Sequence, residues 1–467
     1  MGRSIKPQWL IHCSVLLLLS LGLHALHTDS NIAKIRILSD ASQNFRLATN
    51  LAMHSQFTTN LEKPNYSRRE PFVPYVASWF FKLEDRNLLK KCATLNDDSI
   101  GKGCEELHTK YFFSKKLLYL GLPLIFYFSM LALGLGGLSS FAVSFLITAT
   151  LPIHQTHYLT NYLSELEATF FLSAFGLFFL LATKARWKKS WPHIVLAAAS
   201  LSCLILNKAI FLYFLPMLCA LGGCAFLFIK KKKDSGSFGI RCITIAALAL
   251  LLVTPWLYRN YERGQGFTIS KGRAAAVLAI RANYNTMDFE ESMAALAYWN
   301  GFSPRTIASH YPNLHRANKK GYYQSAKKDE RAALRAGPDA YRKYKSDTIN
   351  RIVDNWFQHG LKSILFTIRG VKSVNFPLNL IVLLGFFVFI WRSYRTLNIP
   401  EIAFAYLAFF SHASYTAMTQ YIPRFAIPIV PTMWICTFII LSRNHRFKSW
   451  LAKLESKLPQ FLLKRLN

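Results

Sequence analysis

Long apolar runs separated by short polar connections dominate the chain, and this pattern is typical of transmembrane helices. A helix needs about 17–25 apolar residues to cross the hydrocarbon of a bilayer. Runs near that length lie at residues 9–26, 117–134, 138–154, 165–183, 191–206, 209–229, 239–257, 373–391, 400–418 and 424–441. We therefore predict an all-α polytopic membrane protein with about ten transmembrane helices, among which 138–154 and 191–206 are the shortest.

Two polar stretches are too long to be simple connections between spans. Residues 27–116 predict a first outer loop with amphipathic helices near Ala48–Met53 and Tyr75–Leu83, which we expect to lie in the membrane interface. Residues 258–372 predict a second, basic outer segment with a helix at Tyr341–Trp356. The predicted domains are an N-terminal transmembrane module at 1–257, the second outer segment at 258–372, C-terminal helices at 373–442 and a basic amphipathic tail at 443–467.

Composition and charge support a multi-pass protein and predict its orientation. The 467 residues are 52% hydrophobic with a net charge of +32, and a soluble chain of this length needs more polar surface. Lys and Arg clusters precede the first predicted span and follow the fourth, sixth, eighth and tenth. Because such clusters stay on the cytoplasmic side, we predict cytoplasmic termini and outward-facing large loops, in a plasma or inner membrane or in the endoplasmic reticulum.

Two of the eight cysteines differ from the rest in their predicted surroundings. Cys92 and Cys104 share the first outer loop and could pair in an oxidising compartment, although the sequence leaves that pairing open. The others lie in predicted spans, where a thiol behaves as a small apolar group; they are Cys13, Cys203, Cys219, Cys224, Cys242 and Cys436.

Acidic residues at the predicted membrane edge are the first candidates for chemistry. Asp40 follows the first span, while Glu165 and Glu167 lie where the fourth span begins. A carboxylate at the edge of hydrocarbon is costly and is therefore a functional candidate, and one that reaches a hydroxyl can take its proton. The alternatives are structural, because Asp40 and Ser164 are good N-cap residues and acids are favourable at helix N-termini.

Four basic residues on the predicted outer face run against the general bias of positive charge toward the cytoplasm. They are Arg69, Lys208, Arg259 and Arg424. Fixed cations bind phosphate, and Arg does so with a planar fork; the alternative for each is a side chain that anchors the interface. His154 and His157 near Glu165 would supply only part of a metal site, so we assign no metal ligand.

Four segments, taken in order, resemble the GT-C superfamily of membrane glycosyltransferases, and in particular the bacterial branch related to protein mannosyltransferases. They are Asp40 with Arg69-Glu70-Pro71-Phe72-Val73-Pro74, Leu163-Ser164-Glu165, Pro255-Trp256-Leu257-Tyr258-Arg259-Asn260-Tyr261, and Arg424-Phe425-Ala426-Ile427-Pro428-Ile429-Val430-Pro431. The chain departs from the family pattern in having no second acid two residues after Asp40. Glu70 stands where some relatives have a basic residue, and the Trp-Trp-Asp-Tyr-Gly motif of oligosaccharyltransferases is absent from the sequence.

The resemblance implies that a single sugar moves from a polyprenyl phosphate to an acceptor on the outer face, with inversion. Asp40 would be the catalytic base, Glu165 would orient the acceptor or the sugar, and the four outer cations would bind the donor phosphate. The implied partners are the lipid-linked donor, membrane lipids and an acceptor that is a glycolipid such as lipid A, a glycan or a protein, with no nucleic acid. No cofactor is required by this reading, and a divalent metal stays open.

Three alternative functions remain at the level of the sequence. A transporter or flippase for a lipid-linked anionic glycan would explain the outer cations but not the long acid-bearing first loop. A transferase for phosphoethanolamine or another lipid-linked group would be expected to carry a soluble domain with a metal site. A membrane scaffold would leave the acids at the membrane edge without a role.

Overall fold

Helices form all the regular structure of the described part of the chain. The computed structural model describes residues 7–27, 37, 40–61, 69–95, 103–151, 159, 161–228, 235–270, 273–299, 302–315, 318–371, 378–396, 401, 404, 409–413, 415–416, 423–443 and 449. Within these residues no strand forms, so the all-α prediction is confirmed there.

The N-terminal half of the chain contains the helices of the first outer loop and most of the long apolar helices. They are α1 (Pro7–His27), α2 (Asp40–His54), α3 (Phe72–Phe81), α4 (Arg86–Thr94), α5 (Glu105–Ala132), α6 (Gly137–Thr150), α7 (Glu165–Lys184), α8 (Trp187–Asn207), α9 (Phe214–Phe228) and α10 (Ser235–Glu262). A short 3₁₀ helix, Ala209–Tyr213, joins α8 to α9.

The C-terminal half begins with shorter helices and ends with apolar ones. They are α11 (Arg273–Asn285), α12 (Phe289–Trp299), α13 (Pro304–His310), α14 (Tyr322–Ala336), α15 (Pro338–Asp354), α16 (Trp356–Val371), α17 (Leu378–Thr396), α18 (Pro423–Ala426) and α19 (Val430–Arg443). The predicted helix Tyr341–Trp356 was wrong in extent, because the chain turns at Asn355 between α15 and α16.

Among the described residues, five helices are long and apolar enough to cross a membrane, namely α1, α5, α7, α8 and α10. Shorter apolar helices cover the described parts of four predicted spans only incompletely: Gly137–Thr150 in 138–154, Ala209–Cys224 in 209–229, Ile381–Ser393 in 373–391 and Val430–Ser442 in 424–441. The predicted span 400–418 lies largely outside the described residues. A membrane protein is therefore supported, while the count of ten transmembrane helices and the predicted domain limits stay predictions.

The described residues cluster into two units along the chain. The first comprises Met1–Ile269, Leu380–Ala408 and Ile427–Asn467, and the second comprises Ser270–Asn379 and Phe409–Ala426. In the first unit α7 packs against α5 and α8, α10 packs against α8 and α9, and α2 packs against α3 and α4.

Two helices of the first unit are longer than a bilayer requires. Both α5 and α10 have 28 residues, which at 1.5 Å per residue makes each about 42 Å long, against about 30 Å of hydrocarbon. The first turns of α5 carry Tyr111 and Lys115, and the last turns of α10 carry Trp256 and Arg259. The extended start of α5 contacts the loop before α7 and Glu167, and the extended end of α10 contacts the first outer loop.

The first outer loop has a hydrophobic core of its own. Phe45 of α2, Phe81 of α3 and Tyr111 of α5 are buried in one cluster. Cys92 and Cys104 lie in the same cluster and are joined by a disulfide. The predicted helices near Ala48–Met53 and Tyr75–Leu83 form as parts of α2 and α3. Their placement in the membrane interface stays a prediction.

A buried arginine joins three segments of the second unit. Arg281 of α11 donates from Nε to the Thr416 carbonyl at 3.1 Å and from Nη2 to the His359 carbonyl at 2.7 Å. Its guanidinium carbon lies 4.7 Å from the centroid of the Phe366 ring. Burial lowers the pKa of Arg281 to about 9, so the side chain remains a cation at neutral pH. The second unit therefore has polar cross-links as well as apolar packing.

Candidate active site

Asp40, the first residue of α2, forms an ion pair with Arg69, which lies just before α3. Asp40 Oδ1 is 3.0 Å from Arg69 Nη1, and the two side chains are 12% and 5% exposed. Arg69 Nε also donates to Asn44 Oδ1 at 3.1 Å. Because residues four apart on a helix lie on one face, the guanidinium contacts Asp40 and Asn44 together. The carboxylate of Asp40 is therefore buried beside a cation that is also hydrogen-bonded to Asn44.

The loop that leads into α7 is fixed by donors from three helices. Each backbone carbonyl of residues 161–164 accepts a hydrogen bond from a side chain. The donors are Lys115 Nζ to Asn161 at 2.5 Å, Asn44 Nδ2 to Tyr162 at 2.7 Å, Lys115 Nζ to Leu163 at 2.8 Å and Asn207 Nδ2 to Ser164 at 2.9 Å. This segment, which we call the 161–164 loop, therefore joins α2, α5 and α8.

Tyr162 anchors the same loop among aromatic side chains. Its ring stacks on Tyr111 with 4.8 Å between centroids and meets Phe45 edge-on at 5.3 Å. Its hydroxyl lies 2.8 Å from His108 Nδ1. Burial raises the pKa of Tyr162 well above its usual value, so the phenol remains neutral. Aromatic packing and carbonyl hydrogen bonds together determine the position of the loop.

Glu165 and Glu167 in the first turn of α7 have different partners. Glu165 Oε1 is 3.1 Å from Lys208 Nζ. Glu167 Oε1 is 3.5 Å from Lys115 Nζ and accepts a hydrogen bond from the Tyr111 hydroxyl at 2.8 Å. Residues two apart on a helix point in different directions, which explains why the acids form separate pairs. Ser164 makes no side-chain capping hydrogen bond, and both acids lie in the first turn of α7, where negative charge is favourable.

Arg259 lies among aromatic residues at the end of α10. Its guanidinium carbon is 4.3 Å from the Trp256 ring centroid and 5.3 Å from the Phe57 ring centroid. Its Nη1 donates to Asn260 Oδ1 at 2.8 Å. Trp256 also meets Tyr75 of α3 edge-on, with 5.6 Å between centroids. The described contacts of Arg259 thus connect α10 to the first outer loop and not to the two acid pairs.

The structure brings four predicted site residues into one network. Asp40 pairs with Arg69, Glu165 pairs with Lys208, and Asn44 links the first pair to the loop that immediately precedes Glu165. Arg424 belongs to α18, but its side chain lies outside the described part of the structure, as do His154 and His157. Within the described residues, no group of three His, Cys, Asp or Glu side chains could hold a metal ion.

Several members of the network were missed from the sequence. None of these members belongs to a local sequence motif. They contact the rest of the network through backbone carbonyl groups, aromatic rings and hydrogen bonds, and they are Asn44, Lys115, Tyr162 and Asn207. One signal was available: Lys115 lies two residues before the predicted span 117–134, and a cation at that edge needs a partner. Its partner, Glu167, is one of the acidic candidates of the sequence, but the family resemblance assigns a role only to Glu165.

Comparison with known proteins shows the fold and no closer relationship. No protein-family model and no curated protein matches the chain. The Archaeoglobus fulgidus oligosaccharyltransferase in complex with Zn and sulfate matches at 15% identity and a TM-score of 0.53, over 97% of this chain and 52% of that chain. The same enzyme tethered with an acceptor peptide containing the NVT sequon matches at 13% identity and 0.54, over 99% and 53%.

A third structure extends the same result. The archaeal oligosaccharyltransferase AglB from Archaeoglobus fulgidus, in complex with an inhibitory peptide and a dolichol-phosphate, matches at 12% identity and a TM-score of 0.54, over 96% of this chain and 52% of that chain. The chain therefore spans about half the length of these structural neighbours and is similar to them in fold. These neighbours are glycosyltransferases of the GT-C fold. The narrower likeness to the bacterial mannosyltransferase-related branch stays a prediction.

Proposed function

We propose that the chain is an integral membrane glycosyltransferase that moves a sugar from a polyprenyl phosphate to an acceptor on the outer face. The observation that carries the proposal is the buried pair Asp40–Arg69 at the start of α2, in a chain whose fold resembles that of an oligosaccharyltransferase. A carboxylate beside a fixed cation supplies both requirements of the reaction, because the acceptor must lose a proton while the leaving phosphate carries negative charge.

The ion pair suggests how donor binding and base release are coupled. The donor phosphate would replace the Asp40 carboxylate at the Arg69 guanidinium, since Arg binds phosphate and carboxylate with the same fork. Asp40 would then be available to the acceptor hydroxyl. Lys208, Arg259 and Arg424 are proposed to provide further positive charge for the phosphate, and Glu165 is proposed to orient the acceptor or the sugar.

The proposed step is a direct displacement at the anomeric carbon. The bond from that carbon to the phosphate oxygen breaks, and its electron pair stays on the departing polyprenyl phosphate. The acceptor oxygen bonds to the same carbon from the opposite face, and its proton moves to the Asp40 carboxylate. One displacement inverts the configuration at that carbon.

Transfer of one sugar is the form of the reaction that we favour. It rests on the resemblance of the four sequence segments and on the absence of the Trp-Trp-Asp-Tyr-Gly motif from the sequence. The structural neighbours are oligosaccharyltransferases, which makes transfer of a whole glycan the second candidate. The mass gained by the acceptor distinguishes these two reactions.

The test compares surface glycolipids, glycans and proteins by mass spectrometry in cells with the gene, without it and with Asp40→Asn. Asp85→Asn is a matched control, because it removes one acid from the same outer loop. Asp85 caps α4 through a hydrogen bond from the Asn87 backbone N–H, and Asn keeps that capping ability. Loss of a catalytic base should reduce transfer by about 100-fold or more, while the control retains it.

Each outcome of this comparison has a distinct meaning. A hexose-sized or pentose-sized mass missing from the null and Asp40→Asn cells supports single-sugar transfer, and a larger missing mass supports transfer of a glycan. Normal products with Asp40→Asn, together with loss or intermediate build-up in the null cells, would instead indicate a transporter or flippase of a lipid-linked anionic glycan.

A further inference from the structure

An exposed apolar face covers one side of the second unit. Trp356 and Phe357 at the start of α16 are 72% and 59% exposed, and Ile364 two turns later is 61% exposed. We use the term apolar face for six residues of α12 and α16: Phe289, Met293, Trp356, Phe357, Leu361 and Ile364, all of which are exposed. Contiguous exposed apolar residues of this size mark an interaction surface.

Helix geometry explains why these residues form one surface. Phe357, Leu361 and Ile364 are spaced four and three residues apart on α16, and Phe289 and Met293 are four apart on α12, so each set lies along one stripe of its helix. The two helices pack against each other. The opposite side of α16 is already used within the unit, because Lys362 and Phe366 are buried.

A cavity lies between the two helices and opens beside the apolar face. It has a volume of about 370 Å³, and its lining includes Phe289, Met293, Leu361 and Ile364. Its polar residues are Asp288, Ser292, Gln358 and Lys362. Lys362 Nζ donates to the Asp288 carbonyl at 3.3 Å and to Ser292 Oγ. Because most of its lining is apolar, this cavity matches a hydrocarbon chain.

The charge of the surrounding segment favours a partner with negative charge. Residues 270–379 contain 18 Lys and Arg against 8 Asp and Glu, so the face is carried by a strongly basic segment. Residues 372–377 are all that separates α16 from the apolar helix α17 in the sequence. A helix with Trp, Phe and Leu on one face in a basic segment is typical of peptides that lie in a membrane surface.

We propose that the apolar face of α12 and α16 inserts into a phospholipid surface that carries anionic headgroups, with acyl chains entering the cavity beside Lys362. The second outer segment is then a membrane-binding element and not a domain surrounded by water. This interaction uses side chains other than those proposed to act in sugar transfer, and it does not depend on the reaction proposed above.

Site-specific photocrosslinking in the full-length protein tests this contact. One variant carries Phe357→p-benzoylphenylalanine, and a matched variant carries Lys328→p-benzoylphenylalanine on α14, where Lys328, Asp329 and Arg331 are all exposed. Both are illuminated in vesicles of phosphatidylcholine and phosphatidylglycerol and in the native membrane, and adducts are identified by mass spectrometry. Because both positions are exposed, the substitutions should leave the gel-filtration elution and unfolding temperature unchanged.

We expect phospholipid adducts at Phe357 to exceed those at Lys328 by about tenfold or more, because the first position faces acyl chains and the second faces water. Equal yields at the two positions, or no lipid adduct at Phe357, would overturn the proposal. Crosslinks from Phe357 to another protein or to a second copy of the chain in the native membrane would also overturn it, since the apolar face would then be a protein interface.

Discussion

Glu165 and Lys208 form an ion pair in which each side chain neutralises the charge of the other. The Glu165 side chain is 2% exposed and that of Lys208 is 14% exposed. Removing one member of a buried ion pair costs about 3–5 kcal/mol, because the remaining buried charge loses its ion-pair partner. We therefore expect Lys208→Met to lower the free energy of unfolding by about 3 kcal/mol, near the lower limit because Lys208 reaches some solvent.

A second substitution separates this electrostatic cause from lost packing. Glu165→Gln added to Lys208→Met removes the remaining buried charge, so the double variant should recover a large part of the stability. Thermal unfolding of the purified protein in detergent measures all three variants. The third variant is Glu165→Gln alone. If the double variant loses as much free energy of unfolding as the two single variants together, the residues act independently, and the ion pair has no role in stability.

At the residue scale, the sequence could predict some of the site residues but not the residues that surround them. Asp40 and Glu165 could be selected because an acid beside an apolar run is a local feature of the sequence. Their surroundings could not, since Lys208 is 43 residues from Glu165, and Asn44 is 118 residues from the loop residue whose carbonyl it contacts. Helix packing brings such residues together, and a single sequence contains no local signal for that packing.

Among the helices, α5 contacts both the 161–164 loop and Glu167. Lys115 holds two carbonyl groups of the 161–164 loop and neutralises Glu167. We expect Lys115→Met to lower the free energy of unfolding by about 3–5 kcal/mol and to reduce transfer, because the loop positions Glu165 and, through Asn44, the Asp40–Arg69 pair. Thermal unfolding and the product assay would be applied to the same preparation.

Lys116→Met is the matched control for this prediction. It removes the same charge from the adjacent position, where the side chain is partly exposed, so a change within about 0.5 kcal/mol is expected. If the two variants lose equal stability and activity, the total charge of α5 matters and the contacts of Lys115 do not.

The same helix shows why element limits were harder to predict than element identity. The apolar run predicted a span beginning at residue 117, but α5 begins at Glu105. Lys110, Lys115 and Lys116 interrupt the apolar pattern that the prediction used. They remain helical because Leu107, Tyr111 and Phe112 pack into the core of the first outer loop, and this tertiary packing is absent from any local window of the sequence.

At the scale of the whole molecule, the charge pattern predicts that the first outer loop faces away from the cytoplasm, and the disulfide offers an independent test. Disulfides persist in oxidising compartments and are rare in the cytoplasm. Cys92 and Cys104 are joined inside the loop core, while the other six cysteines are free thiols. The redox state of these two sulfur atoms in cells therefore reports the orientation of the chain.

We expect two sulfur atoms per chain to become available for labelling only after reduction. Cells would be lysed in denaturant with a small maleimide to block free thiols, then reduced and treated with a maleimide polymer that shifts the band on a gel. Two added polymers are expected for the natural sequence and none for Cys92→Ser with Cys104→Ser. The double variant should also lose about 2–4 kcal/mol of stability, because the disulfide closes a short loop in the unfolded chain. A natural chain with no shift would hold both thiols reduced, which would place the first outer loop in the cytoplasm and contradict the orientation that the proposed reaction requires.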